Sequence, residues 1–188
     1  MGGCCNTKTL AVVGFVLVLQ SLILQLGGVG SHFWNFIHIG TNNTDIKYYL
    51  GLWIYCTSVE TQLADTFDCG DNLQIPIVSA ECAGALFLFI AVLCAGTLIC
   101  RSDLNVNLGL VFCLVFSCFL AGVCVIAGIV LYATRFEALT EDIFLISFSI
   151  HFSFIFCIMA AIGSFLAGFI FCCSVCSKSE KVVPNSEF

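Results

Sequence analysis

Residues 77–100 read IVSAECAGALFLFIAVLCAGTLIC, and Glu81 is the one charged side chain in the stretch. As a helix rising 1.5 Å per residue it reaches about 36 Å, enough to cross a hydrocarbon layer about 30 Å thick. Pro76, just before it, suits the first turn of a helix because its missing N–H would be unpaired there anyway. Working outward, three further runs have the same character. The first extends from about Thr9 to Val29, with Gln20, Ser21 and Gln25 as its polar interruptions; the third covers Leu108 to Tyr132 and the fourth Ile143 to Val175. The fourth exceeds a bilayer thickness, so it must tilt or project into water. With 60% of 188 residues apolar, 10% charged and a mean hydropathy of +1.09, the chain falls outside the range of soluble domains. Lys8 and the apolar run after it imitate a signal peptide, but the run is long for that role and has no Ala-x-Ala pattern before the polar stretch. It is therefore read as a span.

Four spans put both ends of the chain on one side, and positive charge says which. Lys8, Arg101, Lys178 and Lys181 fall on one face of the membrane, Lys47 and Arg135 on the other. Cytoplasmic flanks retain Lys and Arg, which predicts a cytoplasmic N-terminus (1–8), loop (101–107) and tail (176–188). Residues 30–76 and 133–142 then form the extracellular loops. Asp45, Glu60, Asp65, Asp68, Asp71, Glu81, Glu137, Glu141 and Asp142 lie on or near that outer side. The net charge of −6 is thus mainly extracellular, and no basic face is offered to nucleic acid.

Most of the 14 cysteines fall within spans or at their cytoplasmic ends. Cys94, Cys113, Cys118, Cys124 and Cys157 read as small, soft apolar side chains. The first outer loop holds Cys56 and Cys69, on the oxidising side; a bond between them would contribute on the order of 3 kcal/mol. Cys82, just inside the second span, is a third candidate. The second outer loop has no cysteine, which separates the chain from tetraspanins and from gap-junction proteins. Tyr48 to Tyr55 and Trp34 to Ile39 are aromatic and β-branched enough for strands. Strands outside a bilayer must pair, so a small antiparallel sheet resting on the helix ends is expected. Asn42-Asn43-Thr44 is a glycosylation sequon with Asn42 as acceptor.

Trp34, then Gly51-Leu52-Trp53, two residues, Cys56 and a later Cys69 stand in the first loop of a four-span chain. This pattern resembles the claudin superfamily, which includes claudins, epithelial membrane proteins, peripheral myelin protein and channel auxiliary subunits. The resemblance covers nearly the whole chain. It implies a left-handed four-transmembrane-helix bundle carrying a small extracellular antiparallel β-sheet formed mainly by the first loop. Trp34, Gly51, Leu52 and Trp53 would anchor that sheet to the membrane surface, and Cys56 with Cys69 would form its disulfide. The chain departs from the usual claudin pattern in the length of segment 57–68, in Glu81 where a basic residue is usual, and in its short tail. It looks like a divergent, invertebrate-type claudin or a member of a neighbouring branch.

The functional expectation is a cell-junction protein at the plasma membrane, mediating adhesion and a paracellular barrier. Its partners would be like or related four-span proteins, alongside it and across the cell gap. Glu60, Asp65, Asp68 and Asp71, in excess over Lys47, would favour cations in a pore. The rival expectations are an auxiliary subunit of an ion channel or receptor, and a membrane-organising protein of the epithelial type. Near the cytoplasmic surface, Cys4, Cys5, Cys172, Cys173 and Cys176 are candidates for palmitoylation. Ser186-Glu187-Phe188 fits the ligand of a PDZ scaffold, captured by strand addition. Cys173 and Cys176 have the spacing of a zinc or redox pair, but nothing else around them in the sequence suggests groups that would support a metal. His151 is placed within the fourth span, hydrogen-bonded among nearby serines, and Ala160, Ser164 and Gly168 repeat at the interval that lets helices approach closely. No catalytic constellation and no cofactor motif is recognised.

Overall fold

The computed structural model describes residues 7–31, 33–41, 44–61, 65–71, 74–100, 108–140 and 147–179. Four long helices dominate it: α1 (Thr7–Gly30), α2 (Ile75–Cys100), α3 (Leu108–Thr140) and α4 (Phe152–Ser179). Each contains a segment long and apolar enough to cross a membrane, so the chain is a multi-pass membrane protein in contact with lipid. The helices pack as a ring in which α1 touches α4 and α2, and α3 touches α2 and α4.

Small side chains line much of the bundle interior, between Val18, Leu88, Leu114 and Phe171. Ala91, Ala95, Ala121, Ala160 and Ala167 are buried, whereas Phe89, Phe112, Ile126 and Leu166 face outward. Lipid is as apolar as leucine, so large side chains lose nothing by facing it, and close backbone approach becomes the main source of packing energy. Gly84 shows how close: a Cβ there would lie 2.6 Å from Val125 Cγ2 on α3. Ala160, Ser164 and Gly168 all face inward, and the Ser164 hydroxyl donates to the Cys118 carbonyl of α3. Their spacing thus serves packing within the chain.

The sheet has five antiparallel strands in the order β4-β3-β2-β1-β5. They are β1 (Asn35–Thr41), β2 (Thr44–Leu50), β3 (Ile54–Thr61), β4 (Asp65–Asp71) and β5 (Ser147–Ile150). The single strand expected from Tyr48 to Tyr55 is split. Gly51 N–H donates to the Ile54 carbonyl at 3.0 Å, and the turn so formed takes Leu52 and Trp53 out of the ladder toward the helix ends.

The fourth span requires a correction. Residues 147–150, read from sequence as its beginning, form β5 and pair with β1 from Asn35↔Ile150 to His38↔Ser147. Ser-Phe-Ser-Ile alternates with period two, but inside a long apolar run that alternation is easily taken for helix. Pairing here closes an otherwise open edge of β1. The helix begins at Phe152, so His151 lies outside it, beside Phe33, Phe36 and Phe152 with ring centroids 5.6–6.4 Å away. Its described surroundings are aromatic, the Ser153 hydroxyl has no described partner, and the side chains of Ser147 and Ser149 lie outside the described residues. Residues 133–140, read as part of the second loop, continue α3.

Candidate functional site: the sheet and its seat on the bundle

The last carbonyls of α1 have no helical partners of their own. Two tryptophans supply partners for two of them. Trp34 Nε1 donates to the Gly28 carbonyl at 2.8 Å, and Trp53 Nε1 to the Val29 carbonyl at 2.7 Å. Trp34 is only 1% exposed, wedged against Tyr132 of α3 and Phe154 of α4 with ring centroids at 4.9 and 5.9 Å. Its backbone is also held, donating to Leu50 and accepting from His151. Leu52 is fully buried in the same cluster with Val29, Ile77 and Val125. Trp34, Leu52 and Trp53 therefore join the sheet to all four helices through apolar contact and caps on α1. Gly51 is buried at the turn that aims them.

Below this seat lies a polar joint. Gln25 of α1 and Glu81 of α2 are both fully buried, and Gln25 Nε2 donates to Glu81 Oε2 at 2.6 Å. A Cβ added to Gly128 would collide with the Glu81 carboxyl, so α3 provides a glycine-shaped recess for that side chain. Glu81 thus ties three helices together directly under the sheet. Neither residue was singled out as a site from sequence. The available signal was depth: Gln25 precedes the sheet-side end of α1 by five residues, and Glu81 follows the sheet-side start of α2 by six.

Cys56 and Cys69 are directly opposed on β3 and β4 and disulfide-bonded, with their Cα atoms 4.1 Å apart. Cys82, the third candidate, is a free thiol on α2. The bond fastens β3 to the edge strand β4. Replacing both cysteines with Ser is expected to destabilise that hairpin by about 2–3 kcal/mol. Hydrogen exchange of β3 and β4 should accelerate by one to two orders of magnitude, by the free-energy conversion, while exchange in the helices stays unchanged.

Strand register decides which of the acidic residues act together, because directly opposed residues share a face. Asp45 opposes Glu60, and Glu60 opposes Asp65, so these three form one row across β2, β3 and β4. Asp71 has the same parity but sits at the other end of β4, opposite Ile54; Asp68 pairs with Thr57 and faces the other side. Glu60, Asp65, Asp68 and Asp71, grouped by the sequence, therefore do not make one cluster. Asp45 replaces the latter two in the row. Lys47 forms an ion pair with Glu60, and His38 Nε2 lies 3.3 Å from Asp45 Oδ1. With His neutral the row carries three negative charges against the one of Lys47, a balance of −2. The Glu60 hydrogen bond pushes the Lys47 pKa up, so its stabilising contribution persists at neutral pH and is lost only as pH rises through that raised value.

On the opposite face the Tyr55 ring lies over Gly70, where a Cβ would come within 2.6 Å of it. Glycine at this edge position is covered by the cross-strand aromatic side chain, a device that protects strand pairing. Of the lipidation candidates, Cys172 is half-buried and Cys173 exposed near the end of α4, while the Cys176 side chain lies outside the described residues. Cys4, Cys5, Asn42, Ser186, Glu187 and Phe188 also lie outside them. Comparison with models of known protein families and with curated protein sequences gives no match.

Proposed function

We propose that the chain is a claudin-like cell-junction protein whose extracellular sheet associates with like or related four-span proteins, in the same membrane and across the gap between cells. There it sets the ion preference of the paracellular path. The carrying observation is the acidic row Asp45, Glu60 and Asp65 on a disulfide-braced sheet, at the hairpin ends away from the bundle. Five residues of strand separate Asn35 at the membrane seat from Gly40, the residue opposite Asp45, about 17 Å at 3.3 Å per residue. A negative row at that height concentrates cations and disfavours anions. The Lys and Arg distribution supports an outward sheet and cytoplasmic termini, the orientation in which Asn42 would be glycosylated.

Reversing the row tests this. Exchanging Glu60 and Asp65 for Lys changes the local charge by four units and is expected to turn a cation-preferring dilution potential across an expressing monolayer toward anions. An unchanged ion preference, with the variant present at cell contacts, would remove the selectivity role.

A second reading, an auxiliary subunit bound sideways to a channel or receptor, is favoured by one feature of α3. Phe112 and Phe116 stack at 6.1 Å and are 71% and 54% exposed, a flat aromatic face suited to another membrane helix. Stoichiometric co-purification of a channel, lost on changing both to Ala, would support it.

A further inference from the structure

An open groove of about 530 Å³ runs between the first turn of α2 and the sheet-side end of the α3 span. Its composition is graded. Ile75, Pro76 and Leu131 give it an apolar wall, while Thr134 and Arg135 stand at the polar lip. Ile75 and Leu131 are well exposed, at 67% and 41%, although both belong to membrane-spanning segments. Arg135 is exposed as well. The ion pairs among the described residues are His38–Asp45 and Lys47–Glu60, both on the sheet, so the Arg135 guanidinium faces no described carboxylate. The Thr134 hydroxyl is already committed to the Leu131 carbonyl at 3.1 Å.

Arg135 closes the apolar segment of α3, and Ile75 opens that of α2, so the groove straddles the boundary between acyl chains and headgroups on the sheet side. A cation with no carboxylate partner among the described residues, at headgroup level above an apolar trough, is complementary to one kind of molecule: a phosphate ester with hydrocarbon attached. We propose that this groove binds a phospholipid of the sheet-side leaflet, its phosphate on the Arg135 guanidinium and an acyl chain along Ile75, Pro76 and Leu131. Arginine suits the task because its planar fork can hold two phosphate oxygens at once. A free phosphate shares the first contact and cannot use the apolar trough.

The full chain, reconstituted in phosphatidylcholine vesicles, is extracted and washed with excess maltoside detergent, and the phosphatidylcholine left per chain is counted by native mass spectrometry. The wild-type chain is expected to retain lipid. Arg135→Ala should lose retention roughly tenfold, the equivalent of one charge-assisted hydrogen-bonded contact. Leu131→Trp, which fills the trough and leaves the charge, should lose it comparably. Both positions are exposed, and unchanged thermal unfolding confirms that each variant is folded; Arg135→Gln substitutes for Arg135→Ala, and Leu131→Phe for Leu131→Trp, where the first choice is not. Inorganic phosphate in the wash should leave the lipid in place. Equal retention by wild type and both variants, or complete stripping by inorganic phosphate, would overturn the proposal.

Discussion

Trp34→Ala is expected to be the most damaging single change in the sheet, lowering stability by about 3–5 kcal/mol. Three losses combine there. The indole is 1% exposed and packs between Tyr132 and Phe154, so its removal leaves a cavity where α3, α4 and the sheet converge. The Gly28 carbonyl loses its Nε1 donor, and an orphaned buried acceptor costs about 1–3 kcal/mol. The apolar cluster that contains Leu52 and Ile77 also loses its largest member. Trp34→Phe separates these contributions: it keeps most of the ring and deletes the donor, so it should cost about 1–2 kcal/mol. Thermal unfolding in detergent measures the totals. Hydrogen exchange should place the change in β1, β2 and the last turn of α1. A Trp34→Ala protein as stable as the wild type would mean that the sheet is held by something other than this seat.

Glu81→Ala should follow closely, at about 2–4 kcal/mol, and the decomposition matters more than the total. Hydrogen bonds between membrane helices contribute only about 0.6–1.7 kcal/mol, whereas truncating a buried side chain of this size costs about 2–5 kcal/mol. Packing therefore dominates. Glu81→Gln, which retains shape and can still accept from Gln25 Nε2, should cost no more than about 1 kcal/mol. Gly128 gives an independent check, since a Cβ there would collide with the Glu81 carboxyl. Gly128→Ala alone should be destabilising, and the same change should be tolerated when Glu81 is already Ala. A double-mutant cycle with a coupling energy near zero would show that the recess does not hold this side chain.

The four spans were legible because run length is decisive in a bilayer: some twenty apolar residues in a row have few other uses. The disulfide was legible because the first outer loop holds only two cysteines, Cys56 and Cys69, on the side read as oxidising. What sequence reading missed depends on period and depth. β5 was hidden because Ser147-Phe148-Ser149-Ile150 alternates inside a longer apolar stretch, and only the open edge of β1 selects strand there. Asp65, Asp68 and Asp71 are close in sequence, but a strand turns every second side chain to the other face. Asp68 was thereby lost from the group, and Asp45, twenty residues from Asp65, joined the row. Gln25 and Glu81 stand at matching depths in neighbouring spans. Polar groups at equal depth in a membrane protein seek each other, a signal available before any coordinates.

The seat, the joint and the braced edge all serve one arrangement: a sheet seated on the helix ends, with charge at its hairpin end. Its proposed use is association of such sheets between cells. The most direct measurement is expression of the tagged chain in cells that lack junction strands, following whether it concentrates where two expressing cells meet and examining those contacts by freeze-fracture. Enrichment at contacts, with strands in the fracture plane, is the predicted result. A uniform surface distribution without strands would contradict the junction account and leave lateral binding to another membrane protein as the use of the same fold.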